Sequence, residues 1–568
     1  MGLTSLAAQS NDFPTLNPGG GAYFQGTSPG FNTAVIIKFD NNGVLLWSTY
    51  YGGSGNSNRS NSMTVDNSGN VIDLPTADPG GAAYYQPIKA SSSNGLDGFI
   101  IKFNNNGVLN WGTYYGGDGQ DRLNSVDIDD SDNIYITGES ASSNLPTVDM
   151  GGGAHYQASS AGNLDVIVLK FSSNNELLWS TFYGGSTSGD EGNSISIDNS
   201  GNIFIGIRTR STDFPTTDPG GGAYFQGSYS GGLDDLAILK FNSVGQVSWS
   251  TYYGGSDRES GNFSISTDSG GNLFVTGETS STDFPVYDPG GSTYFQSNLL
   301  GNWDLYILKF NNSGARLWST YYGGSDTEYA GQYDKAISID GSDNVFLTGR
   351  SRSTDFPTED PGGGAFYNGT TITGGFDDFI ILQFNNIGER IWGTYGNDYS
   401  TAGGVTNDVN GNLFLVGSGT TNLTLQDPGN GAYFQTNTNG NSCGFIYKLQ
   451  SNNGCSAPTQ PSSVSGNTTL CENSTETYSV TNDPNATSYT WTLPSGWSGI
   501  STTNSISAIA GATGGTIEVI AENSCGVSSS QTLSVTVNTL PNVVASGTAT
   551  ICVGDATPLN ASGASTYT

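Results

Sequence analysis

The chain has 568 residues, with 17 basic against 50 acidic side chains and a net charge of −33. That imbalance argues against a nucleic-acid ligand, since a phosphate backbone rewards basic patches, and against docking on anionic lipid. Apolar residues make up only 35% and glycines number 82, which suits short strands joined by tight turns and disfavours helices, while 11% aromatic residues still suffice for a core.

No run approaches the ~18 apolar residues of a membrane helix, so membrane insertion is not expected. Met1–Pro14 has neither a basic start nor a long apolar stretch and does not read as a signal peptide. It resembles instead the tail of a later repeat, GLTS…SNDFP against GETSSTDFP at Gly277–Pro285. The expectation is that the chain opens inside a repeat and that the natural protein begins upstream.

Self-similarity then dominates, and it decides the architecture. WSTYYGG occurs at Trp47–Gly53, Trp249–Gly255 and Trp318–Gly324. It returns as WGTYYGG at Trp111–Gly117, WSTFYGG at Trp179–Gly185 and WGTYG at Trp392–Gly396. Four sub-motifs recur in order. First comes an apolar run ending in Lys-Phe, such as Val35–Phe39, Phe99–Phe103, Leu236–Phe241 or Leu305–Phe310, with a last relative at Phe445–Leu449. Such runs are too short for helices and rich in β-branched and aromatic residues, so they predict buried strands. An Asn/Gly turn, such as Asn311–Gly314, leads to the Trp strand, whose alternation puts Leu177, Trp179, Thr181 and Tyr183 on one face. A short alternating strand (Ser194–Asp198), a turn (Asn199–Asn202) and a last strand (Asn202–Ile207) complete the set. The lysines at 38, 102, 170, 240 and 309 are expected to pair with a preceding Asp such as Asp165, Asp235 or Asp304.

Between repeats lies a Pro/Gly-dense link, STDFPTTDPGGGAYFQG at Ser211–Gly227, which cannot be a central strand. Its DPGGGAYFQ part occurs seven times, as does the Lys-Phe strand, but the Trp strand occurs six times. One four-stranded sheet cannot bury both faces, and stacking copies around an axis solves this. The predicted fold is therefore all-β: a seven-bladed β-propeller over 1–450, its closing blade incomplete and completed on one side by Phe445–Leu449, with a β-sandwich after it.

WSTYYGG, SISIDNSGNIF and STDFP together resemble the SBBP repeats of bacterial extracytoplasmic β-propellers, over about residues 1–450. That resemblance implies a seven-bladed propeller and supplies no ligand and no catalytic residues. Beyond Ser451, a Pro/Ser/Thr-rich linker precedes short alternating strands, with Trp491 in SYTWT and Cys525 late in the module. Residues 451–540 resemble the PKD-like, immunoglobulin-like modules of large secreted Bacteroidetes proteins, and 541–568 looks like the truncated start of a second one. Cys471 and Cys525, in an early and a late strand, are expected to form a disulfide. Cys443 and Cys455 are a second candidate pair, and Cys552 is left over.

Candidate sites are few. The Asp-rich turns 127–133 and 340–344 lack the late bidentate Glu of a calcium loop and read as Asx-stabilised hairpins, so no cofactor is expected, calcium being the one considered. The one histidine, His155, stands where other copies carry Tyr or Phe, and no catalytic set assembles around it. No enzyme is predicted. Connections on one rim would gather Asp218, Tyr224, Phe225, Tyr294, Phe295, Tyr23 and Phe24, whose aromatic and polar groups suit a glycan; alternatively these rings seal gaps between blades. The expected role is non-catalytic extracellular or cell-surface adhesion by a monomer, to a glycan or a surface protein. The alternatives are a structural spacer and a polysaccharide-active enzyme with a close carboxylate pair. The tryptophans 47, 111, 179, 249, 318 and 392 are assigned to the blade core.

Overall fold

A computed structural model of the protein describes residues 3–8, 13–28, 33–40, 44–51, 77–91, 96–259, 263–331, 335–362, 365–371, 377–408, 411–419, 434–435, 443–449, 458–483, 486–523, 526–539, 541–547, 550–554 and 556–566. It forms two compact units, Met1–Ser451 and Asn452–Thr568. All regular structure among the described residues is strand, and no helix there is long and apolar enough to cross a membrane.

In the first unit the repeat builds antiparallel four-stranded sheets. One runs Asp190–Ile197, Ile203–Thr209, Asp235–Phe241, Val247–Tyr253, each strand paired with the next. The sheets Asp121–Tyr183 and Ser264–Tyr322 have the same order. This corrects the expected phase. The sheet starts with the SISID strand and ends with the Trp strand, so the Pro/Gly link lies inside a sheet, between its second and third strands. The chain crosses to the next sheet at the Gly-Gly pair. Both ends of the long link lie at one sheet edge, so the second and third strands pair directly across it.

The phase also changes the chain's ends. Leu3–Ala8 pairs with Thr33–Phe39, and Cys443–Leu449 pairs with Leu413–Gly419. The last Lys-Phe strand thus joins the sheet of its own neighbours rather than completing one begun by N-terminal strands. The 18-residue strand Arg390–Asn407 closes one repeat and opens the next, fusing two repeats into one seven-stranded sheet.

First strands of successive sheets touch: Ile195 N–H donates to Ser125 Oγ and Ile265 N–H to Ser194 Oγ, both at 3.1 Å. They form the inner edge and the Trp strands the outer. The core lies between sheets. Trp179 and Tyr183 pack against Ile203, Ile205, Leu239 and Phe241 of the next sheet, whereas Phe182 faces back to Trp111 and Phe171. Five of the six Trp side chains meet the Phe that ends the following Lys-Phe strand; after Trp392 that place is taken by Leu449. The centroid separations are 6.0 Å for Trp47–Phe103, 5.3 Å for Trp111–Phe171, 5.2 Å for Trp179–Phe241, 6.2 Å for Trp249–Phe310 and 5.4 Å for Trp318–Phe384. Such contacts add about 0.5–1.5 kcal/mol beyond the area they bury.

A register shift falls between Lys240 and Phe241 and recurs at 38/39, 102/103, 170/171 and 309/310. A bulge of this kind re-aims side chains. The lysines do not meet the Asp that precedes them, which sits at the far end of the same extended strand. Instead Lys38 Nζ donates to Asn105 C=O at 2.6 Å, Lys240 Nζ to Asn312 C=O at 2.7 Å and Lys309 Nζ to Asn386 C=O at 2.6 Å, each in the next repeat's turn. Lys170 Nζ lies 4.9 Å from the Tyr135 ring centroid.

The second unit is a small sandwich. One sheet runs Thr469–Cys471, Gln531–Asn538, Gly515–Asn523, Ser488–Thr492; Thr475–Ser479 pairs with Ser505–Ile509 in the other. Tyr478, Trp497, Ile506, Ile517, Val519 and Val535 fill the space between. Trp491 is half-buried and donates its indole N–H to Thr503 C=O at 2.9 Å. Cys471, one half of the expected bridge to Cys525, is an exposed free thiol. Along its edge strand Leu470 points in and Cys471 outward. Cys455 and Cys525 lie outside the described residues, as does the side chain of Cys443, and Cys552 is a free thiol. Beyond this sandwich, Val544–Ser546 pairs with Asn560–Ser562.

Candidate functional site

The long link between second and third strands was the predicted ligand-bearing loop, and its course is an excursion over the outer strand. In the repeat 190–253, Pro215 C=O accepts Ser250 Oγ–H at 2.8 Å, and Thr217 and Ser250 exchange backbone hydrogen bonds at 2.9 and 3.1 Å. The loop thus runs alongside the Trp strand as a short extra edge. Its tip turns at Asp218–Gly222. Asp218 Oδ1 accepts Gly220 N–H at 2.8 Å, and Gly220, Gly221 and Gly222 have φ of 71°, 65° and 83°, a left-handed run that glycine permits. Tyr224 N–H then donates to Gly314 C=O at 3.0 Å, in the third-to-fourth-strand turn of the next repeat. The loop returns through Gln226, whose C=O accepts Tyr252 N–H at 3.1 Å.

The predicted rim is therefore corrected. The loops leave and re-enter at the edge that carries the Gly-Gly crossings, but their tips reach the opposite edge, beside the short turns. The residues expected to converge are split by role. Asp218 closes the tip. Tyr224 is wedged between Tyr253 and Phe310 of adjacent sheets, with centroids at 4.7 and 6.2 Å, and its hydroxyl donates to Gln226 Oε1 at 2.8 Å. Tyr23 lies between Tyr51 and Phe103, and Tyr294 between Tyr322 and Phe384, in the same way. The next ring along points outward: Phe24 is 38% exposed, Tyr156 40%, Phe225 38% and Tyr367 39%, with Phe295 half-buried. The first aromatic seals the gap between sheets and the second is left on the perimeter.

His155 occupies the first of these positions. Its ring sits 5.0 Å from Tyr183 and 6.0 Å from Phe241, with Nε2 3.1 Å from Phe182 C=O, and burial lowers its pKa. It packs as the tyrosines do. The Asp-rich turns close on themselves: Asp129 Oδ1 accepts Ser131 and Asn133 N–H at 2.9 and 3.0 Å, and Asp340 Oδ1 accepts Ser342 and Asn344 N–H at 2.9 Å each.

The Gly-Gly crossing holds features that were not anticipated. Asp190 and Asp165 are wholly buried, and their oxygens flank Gly184. Asp190 accepts Gly185 N–H at 2.8 Å, Ser211 Oγ–H at 2.9 Å and Thr209 Oγ1–H at 2.6 Å, yet burial still raises its pKa to about 6, with Asp165 adding to the shift. The corresponding pairs are Asp235 with Glu259, where burial pushes both upward, and Asp304 with Glu328. Asp213, from the STDFP segment, binds the outer side of the crossing through Ser186 and Thr187 hydrogen bonds that hold its pKa down to about 2.

The same edge carries a second unanticipated feature. The repeats ending their second strand in Arg-x-Arg (Arg208/Arg210, Arg350/Arg352) start their third with Asp-Asp, where the copies carrying Glu139 or Glu278 have Leu-Asp or Trp-Asp. That paired change was visible in the sequence, and it marks an ion-pair site.

The beta-propeller repeat family SBBP matches residues 110–146 and 248–285, and the family described as PKD-like domain matches 457–535. Among curated proteins, an uncharacterised WD repeat-containing protein of Acanthamoeba polyphaga mimivirus is 22% identical over 379 residues, 57% of this chain and 26% of its own length. The chain thus spans about a quarter of that relative. Similar solved structures include a fungal alcohol oxidase of the AA5 family in complex with copper (12% identity, 84% of this chain, 96% of that one, TM-score 0.29). A protein of unknown function from Bacteroides caccae is also similar (9% identity, 64% of this chain, 90% of that one, TM-score 0.29). The protein is an all-β chain of SBBP-type beta-propeller repeats followed by a PKD-like, immunoglobulin-like domain.

Proposed function

We propose that the protein is a non-catalytic extracellular or cell-surface binding protein that engages glycan through the perimeter of its propeller. SBBP-type repeats and PKD-like domains are typical of extracellular proteins. The observation that carries the reading is the second loop aromatic. Phe24, Tyr156, Phe225 and Tyr367 each keep 38–40% of their surface in water beside a ring that is packed away. Aromatic faces stack on the C–H faces of sugars, and equivalent faces on four of the repeats suit a polymer that is itself repetitive, because weak contacts multiply when they are tethered.

The test is a glycan array probed with the full chain and with a Phe24→Ala/Tyr156→Ala/Phe225→Ala/Tyr367→Ala variant. The expected result is retention on at least one polysaccharide that the variant loses while its thermal unfolding is unchanged. No retention by the unaltered chain would leave the spacer role. Hydrolysis of a retained glycan would overturn the non-catalytic reading.

A further inference from the structure

At the crossing between the repeat 190–253 and the next, three arginines meet one buried carboxylate. Asp234 has 1% of its side chain exposed. Its Oδ1 accepts Arg208 Nε–H at 2.9 Å and Arg210 Nε–H at 2.5 Å, and its Oδ2 accepts Arg258 Nε–H at 2.7 Å. Glu191 takes the inner Nη1 groups of Arg208 and Arg210 at 3.0 and 3.2 Å. Three guanidinium groups are in contact with two carboxylates, a local gathering of basic groups on a chain of net charge −33.

The outer parts of this cluster are unspent. Arg210 and Arg258 are 37% and 36% exposed, and Arg258 is engaged by the described residues through Nε alone among its hydrogen bonds. Nε of Arg210 and Nε of Arg258 are fixed on the two oxygens of one carboxylate and Arg210 Nη1 is taken by Glu191, so among the described residues the Nη1/Nη2 fork of Arg258 and Nη2 of Arg210 make no hydrogen bond. Trp303, half-buried at the start of a strand in the next repeat, has its ring centroid 6.0 Å from the Arg258 guanidinium. The pattern recurs once: Arg350 and Arg352 bind Asp377 at 3.0 and 2.6 Å over the Tyr329 ring.

A planar fork fits a carboxylate in two-point contact, and an outside carboxylate would complete the alternation of charge that the buried Asp234 begins. The neighbouring aromatic face favours a ligand with a stiff C–H surface beside its acid. We propose that Arg210, Arg258 and Trp303 form a binding site for the uronate residues of an acidic polysaccharide. This goes beyond the perimeter reading, since the site lies at the Gly-Gly edge and uses charge.

The test is titration of the full chain with polygalacturonate and with neutral galactan by calorimetry, at low and moderate salt. Binding of polygalacturonate but not galactan is expected, reduced about tenfold or more by R210Q/R258Q, as loss of a charge-assisted contact implies. W303A is expected to weaken it as well, and R258K to fall between, having charge without the fork. Matching far-ultraviolet dichroism and thermal unfolding of each variant keep the comparison among folded proteins. The variant lacking the four perimeter aromatics should bind polygalacturonate normally, so either site can fail without the other. Absent binding by the unaltered chain, or unchanged affinity in R210Q/R258Q, would overturn the proposal. So would equal affinity for poly-glutamate with no effect of W303A, which would assign the site to an acidic peptide.

Discussion

Lys240 Nζ donates to the backbone carbonyl of Asn312 at 2.7 Å, across 72 residues of chain and from one sheet to the next. Asn312 completes the clasp by donating its Nδ2–H to Asp198 Oδ2 at 2.7 Å, in the first-to-second-strand turn of the sheet that Lys240 belongs to. Lys309, Asn386 and Asp268 repeat the arrangement one sheet on. Neighbouring sheets are thus tied at one edge by a cation, an amide and a turn carboxylate, and at the outer face by the loops.

Lys240→Met tests the clasp. Methionine keeps the stem's packing beside Phe204 but leaves the Asn312 carbonyl with only the long 3.5 Å contact from the Trp249 indole N–H, a lost charge-assisted bond that costs about 1–3 kcal/mol. The urea midpoint should fall accordingly, and amide exchange should quicken in the turn 311–315 more than in the strands. Unchanged exchange in that turn would mean that the lysine only fills space.

The two aromatics of a repeat should differ sharply. Trp179 is wholly buried, meets Phe241 edge-on and donates its indole N–H to His155 C=O at 3.0 Å. Trp179→Ala should cost about 3–5 kcal/mol, as large core truncations do. Phe225→Ala should stay within about 0.5 kcal/mol, because its ring is on the perimeter. Denaturant unfolding of both variants measures this, and similar losses would contradict the division of the loop rings into a sealing and an exposed member.

Strand identity and turn chemistry were legible in the sequence because each rests on local signals: the apolar run 236–241, the alternation around Trp179, the Asx turn at Asp198 that accepts Ser200 and Asn202 N–H. The phase of the sheet was not. A cyclic repeat of four apolar strands has no local mark of its first member, and the Pro/Gly link looks like a boundary though it only leaves the sheet and returns. The lysine partners were misread for a related reason: Asp235 is near Lys240 along the chain but sits at the other end of an extended strand. Tyr224 and Phe225 are adjacent and chemically alike, and only the return path of the loop decides which is buried. The paired change at Arg208/Arg210 and Asp234 was readable by comparing repeats with one another.

Stability should be greatest in mildly acidic solution. A carboxyl whose folded pKa is raised binds its proton more tightly when folded, so it contributes fully below its ordinary pKa and loses that contribution as pH rises through the folded value. Burial raises Asp190 to about 6 and Glu328 to about 7, so the loss runs from the ordinary carboxylate range up to neutrality. Asp213, held down to about 2, has the opposite sign and its contribution is lost in acid. His155, lowered by burial, opposes the alkaline loss by one group. The melting temperature should therefore be highest at about pH 4–5 and fall by about pH 8, each raised group being worth on the order of 2–3 kcal/mol. Asp190→Asn and Glu328→Gln should flatten the fall, and a melting temperature that climbs from pH 5 to pH 8 in calorimetry would contradict the buried pairs.

Two glycines should respond to alanine for different reasons. A Cβ on Gly184 would stand 2.6 Å from Asp165 Cγ and 2.9 Å from Asp190 Oδ2. Neither acid can withdraw, since Asp165 Oδ2 accepts Ala161 N–H at 2.6 Å and Asp190 is held by three donors. Gly184→Ala should cost about 1–3 kcal/mol from overpacking and loosen the crossing, which would show as a less steep fall of stability above pH 5. Gly220 has open space around its missing Cβ but a φ of 71°, so Gly220→Ala pays only the left-handed penalty of about 1–2 kcal/mol and leaves the pH profile alone. Unfolding of both variants across pH separates the two mechanisms: a Gly184→Ala protein with the unaltered pH slope would mean that its Cβ finds room without disturbing the two acids.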